Sequence, residues 1–224
     1  MQKKQIILIL TLLLTTSLCF GQRNHILFLL YPEELFSLLD SGFSEKPYAR
    51  YTSIPSFDKN YAFSVEKIDE KNYIISNKFS ENFFQAGYSK ADKMGIIRWD
   101  IDNTKKVKLN TSKKEIDNDL YLKIGELFEL LANKTINELR IPIVVDGTNY
   151  YFETTDKNGE IRMEATASPN KESIMGRFVN ICEDLFSVGL GKNIDQTKII
   201  MEIILLINDL KNDVLPTTSG LDSI

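Results

Sequence analysis

The stretch that decides the fold is Asn149-Tyr150-Tyr151-Phe152-Glu153-Thr154-Thr155, then Asp156-Lys157-Asn158-Gly159, then Ile161-Arg162-Met163-Glu164-Ala165. Aromatic and β-branched residues fill the first run, and Asp156, Asn158 and Gly159 tolerate a tight reversal, so the two runs read as antiparallel strands joined by a turn. Just upstream, Asp146-Gly147 is a second hairpin signal, and Ile141 to Thr166 as a whole predicts a three-stranded meander. Ser168-Pro169 then marks a helix start, with Ile174, Phe178, Ile181, Cys182 and Leu185 forming one apolar stripe up to Gly189 and Gly191.

Toward the N-terminus the same alternation recurs. Tyr61, Phe63 and Val65 alternate with Ala62, Ser64 and Glu66, and Asp69 to Asn72 turn the chain into Tyr73-Ile74-Ile75-Ser76, a hairpin. A second hairpin is expected from Ile96-Ile97-Arg98-Trp99-Asp100-Ile101 and Lys106-Val107-Lys108-Leu109, flanking the polar turn Asp102 to Lys105, with Trp99 as a packing residue. Ser112 with Glu115 has the spacing of a capping box, and Ile116, Leu120, Ile124, Leu127 and Leu131 repeat every three or four residues, predicting a helix to about Thr135. Tyr31 to Asp40 reads as a short helix with Pro32 in its first turn and Ser41-Gly42 at its end. Lys46 to Lys59, with Pro47 and Pro55 and no period, reads as an irregular surface segment. Together these elements give an α+β fold of antiparallel hairpins and a meander packed against amphipathic helices.

Composition agrees with one globular domain: of 224 residues, 43% are hydrophobic and 26% charged, with only 6 Pro and 11 Gly, which excludes a disordered or collagen-like chain. Residues 1–21 stand apart. Lys3 and Lys4 precede an apolar run from Ile6 to Leu14, and Cys19 and Gly21 place small residues before a cut at Gln22, the pattern of a secretory signal peptide. The run is shorter than the roughly 20 residues of a spanning helix, and Leu18 before Cys19 opposes a lipoprotein signal. The expected organisation is a signal peptide over 1–21, a single α+β domain over 22–211 and a polar C-terminal tail over 212–224, with a periplasmic or secreted location.

The whole chain carries a formal charge of −4, and cleavage before Gln22 would remove Lys3 and Lys4 but no acid. Scattered lysines on a net acidic chain argue against nucleic acid as a partner. The mature chain would keep one cysteine, Cys182, and hence no intrachain disulfide. The single histidine, His25, lies just after the cut, which removes Ser-His-Asp and Cys-His catalysis and His-based zinc sites from consideration.

From Asp146 to Val179 the chain resembles a group of exported bacterial proteins of unassigned activity. The carriers are Asp146-Gly147-Thr148, Tyr150 to Phe152, Ser168-Pro169, Met175-Gly176 and Val179. The resemblance implies an envelope or secreted location and no particular activity.

Candidate chemistry is sparse. Asp100-Ile101-Asp102-Asn103-Thr104 is similar to the nucleophile motif of haloacid-dehalogenase-type phosphatases, whose two carboxylates attack phosphorus and handle the proton. The strand-like Lys106 to Leu109 after it favours a turn instead. Asp156 to Glu160 has part of a calcium loop but lacks the spaced ligands of the rest. Glu153 and Glu164 lie on adjacent expected strands and could face each other as a glycosidase-type pair, although solvent-facing charges on an antiparallel sheet explain them better. Cys182, on an apolar stripe with no histidine to activate it, reads as a buried thiol. No cofactor motif and no metal-ligand spacing stands out. The last helix, Asp195 to about Lys211, is apolar on nearly every face; it is expected to be sandwiched between sheet and helix, or to present Leu205 and Leu206 to a protein partner or second copy. The reading is therefore an exported, non-catalytic protein acting through protein interaction, with a carboxylate-based, possibly metal-assisted hydrolase as the alternative.

Overall fold

The computed structural model describes residues 32–88, 92–96, 98, 100–134 and 147–212. The expected signal peptide, His25, Trp99, the strand expected at Ile141 to Val145 and the tail from Asp213 lie outside these residues. The chain divides into a unit ending at Ser37 and a larger one beginning at Leu38. Helix α1 (Glu33–Leu39) begins in the first, after Pro32, whose carbonyl accepts from Leu35 N at 3.1 Å.

The larger unit is built on a six-stranded antiparallel sheet in the order β4-β3-β2-β1-β5-β6. The strands are β1 (Ala49–Pro55), β2 (Tyr61–Ile68), β3 (Lys71–Phe79), β4 (Leu109–Ile116), β5 (Thr148–Thr155) and β6 (Ile161–Ala167). Two short helices, α2 (Phe83–Gly87) and α3 (Ile101–Thr104), lie between β3 and β4. Helix α4 (Asn118–Lys134) follows β4, and α5 (Ile174–Gly189) and α6 (Gln196–Asn212) follow β6. The α+β class is as the alternating pattern predicts.

The β2–β3 reversal is tighter than expected: Asp69 and Glu70 alone make the turn, at φ of 50° and 61°, the left-handed conformation that matches the twist of a hairpin. The β5–β6 turn falls where Asp156 to Gly159 places it. Asp156 Oδ1 accepts from Asn158 N and Glu160 N, both at 2.9 Å, and Gly159 takes φ of 80°.

Several expectations are corrected. Lys46 to Lys59 is not an irregular surface segment, because it contains β1, a central strand buried along its whole length. Ala49, Tyr51 and Ser53 face one side of the sheet and Arg50, Thr52 and Ile54 the other; with both sides covered, no polar alternation marks the strand. The second hairpin does not form: Asp102 to Thr104 lie in α3, and β4 pairs with β3. Ser112 and Glu115 are β4 residues opposite Ser76 and Tyr73, and the cap of α4 is Asp117, whose Oδ1 accepts from Leu120 N at 2.8 Å. Among the described residues the neighbours of β5 are β1 and β6. Helix α5 begins after Ser173, whose hydroxyl accepts from Gly176 N, and Ser168 Oγ instead accepts from Thr148 N.

The hydrophobic core lies on one side of the sheet. Tyr51, Phe63, Val65, Ile74 and Phe152 meet Leu120, Ile124, Leu127 and Phe128 of α4 and Phe178, Ile181, Cys182 and Leu185 of α5. The rings of Phe128, Phe152 and Phe178 pack edge to face, Phe178 lying 5.2 Å from Phe128 and 4.8 Å from Phe152. Helix α5 approaches β3 so closely at Gly189 that an added Cβ would stand 2.0 Å from Ser76 Oγ. That contact explains the glycine, and Ser76 Oγ donates to Phe186 O at 3.0 Å beside it.

Helix α6 packs chiefly on α4 and α5 rather than on the sheet, so it forms an outer layer and is not sandwiched. Lys211 pairs with Glu126 of α4 at 2.9 Å, and Arg177 of α5 pairs with Asp209. Ile199, Ile203, Leu206, Ile207 and Leu210 point inward, each burial worth about 1.5–3 kcal/mol. The opposite face carries Met201 (60% exposed), Leu205 (57%) and Ile204 (38%). Leu206 is therefore corrected from a partner-facing to a core residue, while Leu205 remains outside.

Candidate functional site

Two polar constellations are buried against opposite faces of the sheet. On the helix-covered face, one row across the sheet sets Ser53 between Tyr61 and Tyr150, its cross-strand neighbours. Tyr51 stands two residues before Ser53, with its ring stacked 5.8 Å from that of Tyr150. Glu183 of α5 reaches down to this row, and its Oε1 accepts from the hydroxyl of Tyr51 at 2.9 Å and from that of Tyr61. Ser53 Oγ is wholly buried and makes no hydrogen bond of normal geometry. Phe186, one turn along α5, packs on Tyr61 with centroids 4.4 Å apart.

Burial first, and the Glu183 carboxylate second, push the Tyr51 and Tyr61 hydroxyls well above the ordinary tyrosine range. Both are thus proton donors and not nucleophiles at neutral pH. Just before β1, Tyr48 stacks on Tyr121 of α4 at 4.2 Å, and burial, then Tyr121 and Glu129, push its hydroxyl up to about 12. These protons are held in the fold but are released near pH 10 once the chain unfolds. Stability is accordingly expected to be complete below about pH 10 and to fall as the pH rises toward 12. An alkaline titration checks this: absorbance of tyrosinate from Tyr51 should appear together with loss of circular dichroism, and full ionisation of a folded chain would contradict it.

On the other face, Arg50 of β1 is 2% exposed and its Nη1 donates to Glu153 Oε2 of β5 at 3.1 Å and to Asp40 Oδ2 at 3.0 Å. Its Nη2 donates to Ser44 O, and the Phe43 ring lies 5.5 Å from the guanidinium. Glu66 of β2 accepts from Ser44 N at 3.0 Å and from Ser64 Oγ at 2.5 Å, and Asn77 Nδ2 of β3 donates to the carbonyls of Leu39 and Ser41 at 2.7 and 2.9 Å. Residues 39–44 form a strap in which the carbonyls of Leu39, Ser41 and Ser44 and the amide of Ser44 are met by sheet side chains. This accounts for a sheet face lined with Arg, Glu, Asn and Ser: the strap has no ladder of its own, so the sheet supplies partners.

The residues expected to carry chemistry are not brought together. Asp100 caps α3, its Oδ1 accepting from Asp102 N at 2.9 Å, and Asp102 pairs with Lys105 at 2.5 Å on the exposed surface. Both sit on a short helix before an antiparallel strand, not at the end of a parallel strand as the phosphatase chemistry requires. Glu164 lies opposite Phe152 and Glu153 opposite Met163, so the two carboxylates project from opposite faces of the sheet. Nor is Glu153 a solvent-facing charge, since it is buried on Arg50. Cys182 is a fully buried free thiol whose pKa burial pushes up, in line with a packing role. Among the described residues no cluster of three His, Cys, Asp or Glu could hold a metal ion, and no helix is long and apolar enough to cross a membrane.

Sequence reasoning missed Glu183, Tyr51, Tyr61, Arg50 and Asp40 as interacting groups. The signal available for the tyrosine row was the recurrence of tyrosine at positions 51, 61 and 150. No pattern links these residues to Glu183, which lies more than a hundred residues from two of them in the chain. Comparison with protein-family models, curated proteins and solved structures finds no match to this chain.

Proposed function

We propose that the chain is exported, with residues 1–21 removed before Gln22, and that it acts through protein contact made by the outward face of α6. The observation that carries this reading is that Met201, Ile204 and Leu205 are exposed on a helix whose inner face already fills the core. Large apolar side chains grouped on one face, and not scattered singly, are the mark of a contact surface. The occupant is a second copy of the chain. Lys198 precedes Met201 by three residues and Asp209 follows Leu205 by four, both exposed. Within the chain Lys198 pairs with Glu202 at 3.6 Å and Asp209 with Arg177, and an antiparallel copy would bring a charge of opposite sign to each of these exposed pairs and oppose the helix dipoles.

Sedimentation velocity of the Gln22-to-Ile224 chain tests the contact. The double substitution Met201→Ser with Leu205→Ser should convert a dimer to a folded monomer, and an unchanged sedimentation coefficient would refute it. Intact-mass analysis of the chain recovered after export should give the mass that begins at Gln22. An uncleaved N-terminus or an acyl group on Cys19 would overturn the export assignment.

A further inference from the structure

We propose that Glu183, framed by Tyr51, Tyr61 and Tyr150, is a receptor for a primary ammonium group. The argument starts from charge. Glu183 is half-buried, and its hydrogen-bond partners among the described residues are two neutral tyrosine hydroxyls, both on Oε1. No cation balances it within ion-pair distance among those residues, and a half-buried carboxylate without one gains most from an arriving cation. The nearest basic group of the row, Lys78 Nζ, lies over the Tyr61 ring 5.8 Å from its centroid, on the β3 side.

Geometry then selects the ligand. The two hydroxyls pin Oε1, so the carboxylate is held in place before anything binds, which removes the ordering cost of a long acidic side chain. Oε2 is left to accept. The half-buried Tyr150 and Tyr61 rings are themselves held, Tyr150 stacked on Tyr51 and Tyr61 packed on Phe186, so the surroundings of the carboxylate are fixed as well. A primary ammonium has N–H donors to give Oε2; a quaternary ammonium has none. The source is a free alkylamine or a lysine side chain of a polypeptide. This site stands apart from the α6 contact, and either can fail without the other.

The test is a titration of the Gln22-to-Ile224 chain with butylammonium chloride at constant ionic strength, following the ring signals of Tyr51, Tyr61 and Tyr150 by NMR. Butan-1-ol and tetramethylammonium serve as controls. A saturable shift with butylammonium, at least about tenfold weaker with either control or in the Glu183→Gln variant, is the expected result. The amide that replaces the carboxylate in this variant keeps an acceptor oxygen for both tyrosine hydroxyls, and near-ultraviolet circular dichroism verifies that the variant is folded. A capped pentapeptide with one central lysine forms the second arm: tighter binding than butylammonium assigns the site to a polypeptide side chain, and equal or weaker binding to a free amine. No saturable shift with either probe, or the same affinity in Glu183→Gln, would overturn the proposal.

Discussion

Replacing Arg50 with Ala should lower the stability of the fold by about 3–5 kcal/mol, because it leaves the Glu153 carboxylate buried without its cation. The loss should exceed what an exposed ion pair such as Lys71 with Glu115 could give, since exposed pairs contribute at most about 1 kcal/mol. Two effects add at Arg50: the carboxylate loses its partner, and the strap loses its hold at Asp40 and Ser44. Urea unfolding separates them. The combined change Arg50→Met with Glu153→Met removes the orphaned charge and should recover most of the loss, whereas Asp40→Asn should cost less than Arg50→Ala. If Arg50→Ala unfolds at the same urea concentration as the unchanged chain, the buried network contributes nothing to stability.

Leu206→Ala should cost about 2–5 kcal/mol, the range for deleting a fully buried leucine side chain, and Leu205→Ala no more than about 0.5 kcal/mol in the monomer. The two residues are adjacent in sequence and chemically identical, so intrinsic helix propensity cancels and the difference reports burial alone. Thermal unfolding of the two variants at low protein concentration is the measurement. Equal losses would mean that α6 is buried on both faces, against its placement as an outer layer.

That contrast also shows what the sequence could and could not convey. The hairpin from Tyr61 to Ser76 and the one around Asp156 were legible, because turn residues and alternation occur within a few positions of each other. Helices α4 and α5 were legible from their apolar stripes, but not their starts. Ser112 with Glu115 has the spacing of a capping box and yet lies in β4, where pairing with β3 prevails over local spacing. Strand β1 escapes a sequence reading because both its faces are buried, one in the apolar core and the other under the polar strap, which erases the alternation that marks a strand. For α6 the hydrophobic run was so dense that period alone did not divide it, and Leu206 was grouped with Leu205 although a helix turns about 100° between them.

The candidate site was less legible still. Asp100 with Asp102, and Glu153 with Glu164, are acids close enough in the chain for spacing alone to suggest a shared site. Glu183, by contrast, gains its meaning from Tyr51 and Tyr61, which β1 and β2 bring beneath α5. Such a constellation exists only in the tertiary structure.

The most direct test of the proposed α6 contact is sedimentation equilibrium of the unaltered Gln22-to-Ile224 chain over a range of concentrations from the low to the high micromolar. The account predicts a monomer–dimer equilibrium, with twice the chain mass at the upper end. A single monomer mass across the whole range would contradict it.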